Sequence, residues 1–186
     1  MEAIMKTLSA GGPFVAAADG VDRVLGAICR AVLLVTLSLM LVGLGVNVVI
    51  RYAATQGGID WINEATEFLF PWAIAAGIVL AVQRGAHIAV DVLFGFFGPR
   101  GARVLGTAIH LLVAVAYLLL LKVTIGLIEI VSIEMSPLLG ISRSWAYWAL
   151  AFGAGGAAFA NAAIALRVAL NGISALPAAP AEESVT

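Results

Sequence analysis

Four long apolar stretches, at about residues 31–50, 61–82, 104–130 and 145–166, dominate the chain and narrow its possible folds more than any other feature. A backbone placed in hydrocarbon must satisfy its own N–H and C=O groups, which a helix does within one segment and a lone strand does not. At 1.5 Å per residue, each stretch reaches across a hydrocarbon core of about 30 Å. Charged residues make up 11% of the sequence, where a soluble domain carries roughly 25%. Too few charges are present to cover a water-facing surface. The expected fold is therefore an all-α integral membrane protein. Its domain covers about 22–171, with four transmembrane helices at about 24–52, 61–83, 101–131 and 144–170.

Residues 86–97, between the second and third spans, are too few to cross a membrane, and Pro99 closes them. His87 and Asp91 stand four apart, hence on one helix face, with Ile88, Val92, Phe94 and Phe96 as apolar neighbours. This pattern predicts a short interfacial helix lying at the membrane surface. Residues 172–186 carry Pro177, Pro180, Glu182 and Glu183 and are expected to be a disordered cytoplasmic tail. Residues 1–21 lack the basic start and compact apolar run of a cleaved signal and are expected to be a retained N-terminal segment. Basic residues orient the spans. Lys6, Arg23, Arg30, Arg84, Arg100, Arg103 and Arg167 gather on one side, against Arg51 and Arg143 on the other, with Lys122 within the third span. Both termini are thus predicted to be cytoplasmic, and Asp60, Glu64 and Glu134 to lie on the outer side. No internal repeat of the kind many transporters carry stands out.

The parts for catalysis or redox chemistry are missing from the sequence. Cys29 is the only cysteine, which rules out an internal disulfide and a cysteine cluster. A membrane haem needs axial ligands facing each other at similar depth. His87 falls in the surface segment and His110 about two turns into the third span, so each suits a packing or surface role better. No nucleophile–base pair, phosphate-cradling loop or metal cluster is apparent. A formal net charge of −1 offers no basic patch for nucleic acid. Neither an enzyme activity nor a cofactor is expected.

The ionisable residues near the spans are more informative. Glu64 and Glu67 lie one turn apart at the start of the second span, which places Glu67 at or just below the outer interface. A charge at that depth calls for a partner. Arg51, Lys122 and Arg143 lie on the same side, and a partner subunit is the other source; an interfacial structural ion pair is the simplest reading. Lys122 and Glu129 share a face of the third span, with Lys122 close enough to the interface to snorkel. Asn47 and Asn161 are polar but do not titrate, so the membrane centre is poorly equipped to carry a coupling ion. Pro71 is expected to kink the second span. Ala73, Gly77 and Ala81, and likewise Ala149, Gly153 and Ala157, recur every four residues, a spacing that lets helices approach closely. Trp61, Trp145, Tyr147 and Trp148 fit an aromatic belt at the outer face.

One stretch carries a family resemblance. Arg51 and Tyr52 close the first span, Trp61 and Glu64 open the second, and Trp72 and Gly77 lie inside it. Arg84, Gly85, His87, Ile88, Val90 and Asp91 then follow in fixed order. Together they resemble the small permease family of tripartite ATP-independent periplasmic (TRAP) transporters, the DctQ-type subunits. Size, four-span layout and cytoplasmic termini agree as well, while the fourth span adds only hydropathy. The resemblance implies a multi-pass protein of the bacterial inner membrane with two protein partners. A periplasmic substrate-binding protein captures an organic anion, often a carboxylate. A large permease of about a dozen helices moves it inward with sodium, by an elevator motion against a fixed scaffold that the small permease widens. Substrate and sodium sites belong to the large permease. The residues expected at a subunit interface or in contact with membrane lipids are Arg51, Trp61, Glu64, Glu67, Arg84, His87 and Asp91. Arg84, His87 and Asp91 would pin the turn after the second span, with Arg84 on a lipid phosphate or an acidic group of the large permease. The plain alternative is positive-inside charge with a His–Asp helix pair. Two rival functions are an autonomous small four-span transporter, against which stands a first span without a carboxylate, and a haem-bearing membrane anchor of a respiratory enzyme.

Overall fold

The structure, a computed structural model, describes residues 13–53, 57–85 and 98–172. The expected interfacial helix at 86–97, the N-terminal residues 1–12 and the tail beyond Gly172 lie outside the described residues. Four helices make up nearly all of what is described: α1 (Pro13–Ala53), α2 (Asp60–Gln83), α3 (Pro99–Val131) and α4 (Ser144–Asn171). All four are long and apolar enough to cross a membrane, so the chain is an all-α membrane protein.

Local sequence sets the helix ends. α1 and α3 both begin on a proline, whose fixed φ suits the first turn and whose missing N–H is one the helix would leave unpaired. α1 is 41 residues long, about 60 Å, twice the hydrocarbon thickness. It starts upstream of the predicted span and extends well beyond the bilayer core. α2 has 24 residues and runs through Pro71 without ending. α3 and α4 have 33 and 28 residues. α4 closes with Gly172 N–H donating to Val168 O at 2.9 Å.

The helices differ in how much they bury. In the most apolar stretch of α4, 67% of residues are buried, against 11% in α1 and 17% in α3. Composition explains the difference. α4 is built from Ala and Gly, which lend little bulk and let neighbouring backbones approach. α1 and α3 are rich in Leu, Ile and Val that stand outward, as at Leu34, Leu41, Leu112 and Val123.

By contacts the chain divides into two units, each with a piece of all four helices. The first takes the described parts of Met1–Ala27, Val79–Tyr117 and Gly156–Thr186, and the second takes those of Ile28–Ile78 and Leu118–Gly155. The first unit's core includes Val79, Val82, Ala157, Ile164 and Val168; the second's includes Cys29, Phe68, Ala75, Ala76 and Ala149. In the second unit, a Cβ built on Gly153 would meet Ala75 Cβ at 2.8 Å and Ala75 Cα at 3.0 Å. Only glycine admits this approach of α4 to α2.

The two small-residue stripes fare differently. On α4, Ala149, Gly153 and Ala157 all face inward. On α2, Ala73 is buried, but Gly77 has nothing within 4 Å of its Cβ position and Ala81 is exposed. The packed face of α2 runs instead through Ala75, Ala76 and Val79. Gly77 follows Ala76 by one residue, about 100° around the helix, so the repeat at 73–77–81 drifts off the contact.

Candidate functional site

In the second unit the connection between α3 and α4 is a built hairpin. Ser136 N–H donates to Ile141 O at 2.9 Å, Gly140 N–H to Ser136 O at 3.0 Å and Arg143 N–H to Glu134 O at 2.9 Å. Gly140 sits at φ +64°, a left-handed conformation that glycine adopts without the Cβ penalty. The Ser142 hydroxyl donates to Ser132 O at 2.9 Å and accepts Ser144 N–H at 3.2 Å, capping the start of α4.

Glu64 fastens this hairpin to α2. One carboxylate oxygen, Oε2, accepts Leu138 N–H at 3.0 Å and Leu139 N–H at 2.9 Å. Charged acceptors make stronger bonds than neutral ones, so a single side chain fixes a turn 74 residues away. The fastened hairpin leaves Ile133, Met135 and Leu138 outward. Beside it, Arg143 and Glu134 face each other at 3.7 Å, both more than half exposed. Asn47 does similar work between α1 and α2: its Oδ1 accepts Ile59 N–H at 2.6 Å and its Nδ2 donates to Asn63 Oδ1 at 3.3 Å.

Below the hairpin, Trp72 packs on Trp145 with ring centroids 5.5 Å apart and on Phe152 at 5.9 Å. It borders two apolar grooves, one of about 630 Å³ toward α3 and α4 and one of about 380 Å³ toward α1. Its indole N–H is buried without a hydrogen-bond partner among the described residues.

The first unit holds a charge network that sequence reasoning missed. Arg167 Nε donates to Asp19 Oδ1 at 2.8 Å and Nη2 to Asp22 Oδ2 at 2.9 Å. Gln83 Nε2 donates to both Asp22 O and Asp22 Oδ1 at 2.8 Å. The side chains of Arg167 and Asp22 are only 17% and 15% exposed. Arg103 donates from Nη2 to Ala169 O, and to Leu170 O at 3.2 Å, tying α3 to the carbonyls that end α4. The signal was present. Asp19 and Asp22 lie three apart on α1, hence on one face, and Arg167 is the cation at the matching end of α4. In the sequence Arg167 counted only toward orientation. His110 and Asn161 form a second buried pair: Asn161 donates to Ala157 O at 2.9 Å, leaving its Oδ1 to accept from His110 Nδ1 at 3.1 Å. His110 is buried in the first unit against this amide.

The residues expected at an interface divide into three groups. Glu64 turns inward, to the hairpin. Arg51, Trp61, Glu67 and Arg84 are exposed, Trp61 by about half. His87 and Asp91 lie outside the described residues. Among the described residues, neither Arg51 nor Lys122 pairs with Glu67, and Arg143 pairs with Glu134 instead. Glu67 lies seven residues into α2, about 10 Å along a helix of about 36 Å. Centred on a 30 Å core, such a helix places Glu67 roughly 7 Å below the boundary. Lys122 lies nine residues before the end of the longer α3, roughly 4 Å inside by the same reckoning, within reach of snorkelling. No cluster of three or more metal-ligating side chains occurs among the described residues.

Residues 39–171 match the family of tripartite ATP-independent periplasmic transporters, DctQ component. A protein of Haemophilus influenzae (strain ATCC 51907 / DSM 11121 / KW20 / Rd) named as a TRAP transporter small permease is 25% identical over 129 residues, covering 69% of this chain and 77% of its own. The uncharacterized protein y4mM of Sinorhizobium fredii (strain NBRC 101917 / NGR234) is 36% identical over 129 residues, again 69% of this chain but 24% of its own length. The chain thus spans about a quarter of that relative. No solved structure matches. With four apolar helices, and with a family match running from within α1 to the last residue of α4, the chain belongs to the DctQ family, the small permease subunits of TRAP transporters.

Proposed function

We propose that this chain is a scaffold subunit that binds the large permease of a TRAP system and widens its fixed part during sodium-coupled uptake of an organic anion, a carboxylate. Both termini lie in the cytoplasm in this reading, as the distribution of Lys and Arg favours, and the hairpin at 132–143 faces outward, where it helps dock the binding protein. The observation that carries the proposal is Glu67: an exposed carboxylate seven residues into a membrane-length helix, with no ion pair or hydrogen bond among the described residues. A charge facing lipid at that depth is costly. A polar or cationic group of an adjoining membrane subunit relieves that cost. The relative from Sinorhizobium fredii adds support, because there the matching stretch is a quarter of one much longer polypeptide. The substrate and sodium sites are assigned to the large permease, and Arg51, Trp61 and Arg84, with His87 and Asp91, to contacts with it or with lipid headgroups.

Co-expression with a large TRAP permease tests the reading. A tag on this chain should retrieve the large permease from detergent extracts, and a photo-crosslinker at position 67 should join the two. A chain that purifies alone, or uptake that persists at full rate without it, overturns the proposal.

A further inference from the structure

We propose that the 630 Å³ groove between α3 and α4 is a binding site for one acyl chain of a zwitterionic bilayer phospholipid, with its headgroup on Arg143 and Glu134. The groove belongs to the second unit and lies within the size range of small-molecule sites, roughly 300–1,000 Å³. Its length fits one leaflet. Along α4 it extends from Ser144 to Phe152, about 12 Å, and along α3 it reaches Leu121, ten residues or about 15 Å before the helix end. Half of a 30 Å hydrocarbon core is about 15 Å.

The groove is graded along that length as a phospholipid is. Its deep end is formed by Leu121, Ala151 and Phe152 beside the Trp72 ring, whose indole N–H is buried away from solvent. Its mouth is formed by Ser142 and Ser144, whose hydroxyls are already engaged with each other and with the hairpin backbone. Arg143 lies between them in sequence, more than half exposed and facing Glu134. Its 3.7 Å separation from Glu134 is too long for a hydrogen bond. Cation and anion therefore stand side by side and open to solvent. A headgroup with one phosphate and one ammonium complements them, phosphate on Arg143 and ammonium on Glu134. Trp145 and Trp148, each half exposed, flank the mouth as residues at a bilayer interface do. The walls are preformed, with Trp72 wedged against Trp145 and Phe152 and the hairpin held by Glu64, so little ordering is left to oppose binding. The inference does not depend on the transport reading, because it concerns what this chain holds on its own.

The test uses the indoles as reporters, since Trp72, Trp145 and Trp148 line the groove and Trp61 is the only other tryptophan. The full chain in detergent is titrated with phosphatidylethanolamine carrying brominated acyl chains, which quench indole fluorescence on contact. Quenching should saturate. Ala151→Leu, which fills the deep end, and Arg143→Ala, which removes the phosphate contact, should each raise the half-saturating lipid fraction at least fivefold. Leu119→Phe, on exposed α3 surface outside the groove, should leave it unchanged. Arg143 is surface-exposed, so its variant keeps the proposal falsifiable if Ala151→Leu fails to fold. Quenching that rises linearly with lipid and ignores both substitutions overturns the site. So does loss of saturable quenching once the chain is co-purified with the large permease, which would mean that a protein side chain fills the groove.

Discussion

Replacing Glu64 should release the α3–α4 hairpin unevenly, and the unevenness is the test. Among the described residues Leu138 N–H donates to Glu64 Oε2, whereas Leu139 N–H has a second acceptor in Ser136 Oγ at 3.2 Å. A hydrogen bond to a charged group contributes about 1.5–3 kcal/mol net. Both bonds here fall on one oxygen of a half-buried residue, so the lower half of that range applies to each. In Glu64→Ala, Leu138 loses its carboxylate acceptor and its amide should exchange roughly 10- to 50-fold faster, taking about 1.4 kcal/mol per tenfold. Leu139 keeps the serine and should accelerate by less than about tenfold. Glu64→Gln retains a neutral acceptor and should fall between wild type and Ala at Leu138. Ile59, held by Asn47, is the internal control and should not change. The assay is residue-resolved hydrogen exchange in lipid nanodiscs. Equal protection of Leu138 in wild type and Glu64→Ala would refute the reasoning, because the hairpin would then be held by its own turn bonds alone.

Three further perturbations follow from the packing. Arg167→Met leaves Asp19 and Asp22 without their cation; removing one partner of a buried pair costs about 3–5 kcal/mol, reduced here toward about 3 because Asp19 is 42% exposed, measured as a shift in denaturant-induced unfolding in mixed micelles. Adding Asp19→Asn and Asp22→Asn to Arg167→Met should recover most of that loss, since no unpaired charge remains. Gly153→Ala drives a methyl into Ala75 and should cost about 1–3 kcal/mol, whereas Gly77→Ala, with open space around it, should be neutral or stabilise by up to about 1 kcal/mol; thermal unfolding of the pair separates them. Trp72→Phe removes an N–H that has no partner among the described residues and should stay within about 1 kcal/mol of wild type, whereas Trp72→Ala should cost about 3–5 kcal/mol.

How much of this was legible in the sequence depended on the kind of force involved. The four spans were readable because lipid demands long apolar helices, a constraint that acts on each segment alone. Burial rank was not readable from hydropathy, since α1 and α4 are both apolar yet differ sixfold in buried share. It follows from side-chain size, which decides how near two backbones come. The stripe at 149–153–157 gave the packed face of α4, but the same spacing at 73–77–81 misled for α2, because small residues are common in this chain and only shape-matched ones meet. Glu64 was singled out as an interfacial charge. Its inward role needed the 138–139 turn, 74 residues on. Asp19, Asp22 and Arg167 pair across 145 residues or more, a separation at which sequence spacing carries no signal beyond matching ends.

The charged residues divide by whether this chain satisfies them, and that division bears on what the subunit is for. Arg167, Asp22, Arg103 and Glu64 each reach hydrogen-bonded partners on another part of the same chain. They hold four helices together that lipid alone would not drive into contact, since hydrocarbon is as apolar a neighbour as leucine. Glu67, Arg51 and Lys122 reach no ion-pair partner among the described residues. Lys122 and Arg51 have water within reach, one by its long stem and the other at the end of α1. Glu67 has a shorter side chain and stands seven residues into α2. An exposed carboxylate set in a membrane-length helix, with no ion pair among the described residues, fits a subunit whose surface is completed by another membrane protein. Glu67→Gln should then weaken retrieval of the large permease while leaving this chain's own unfolding midpoint in place. A fall in that midpoint with retrieval intact would assign Glu67 to the chain's own fold.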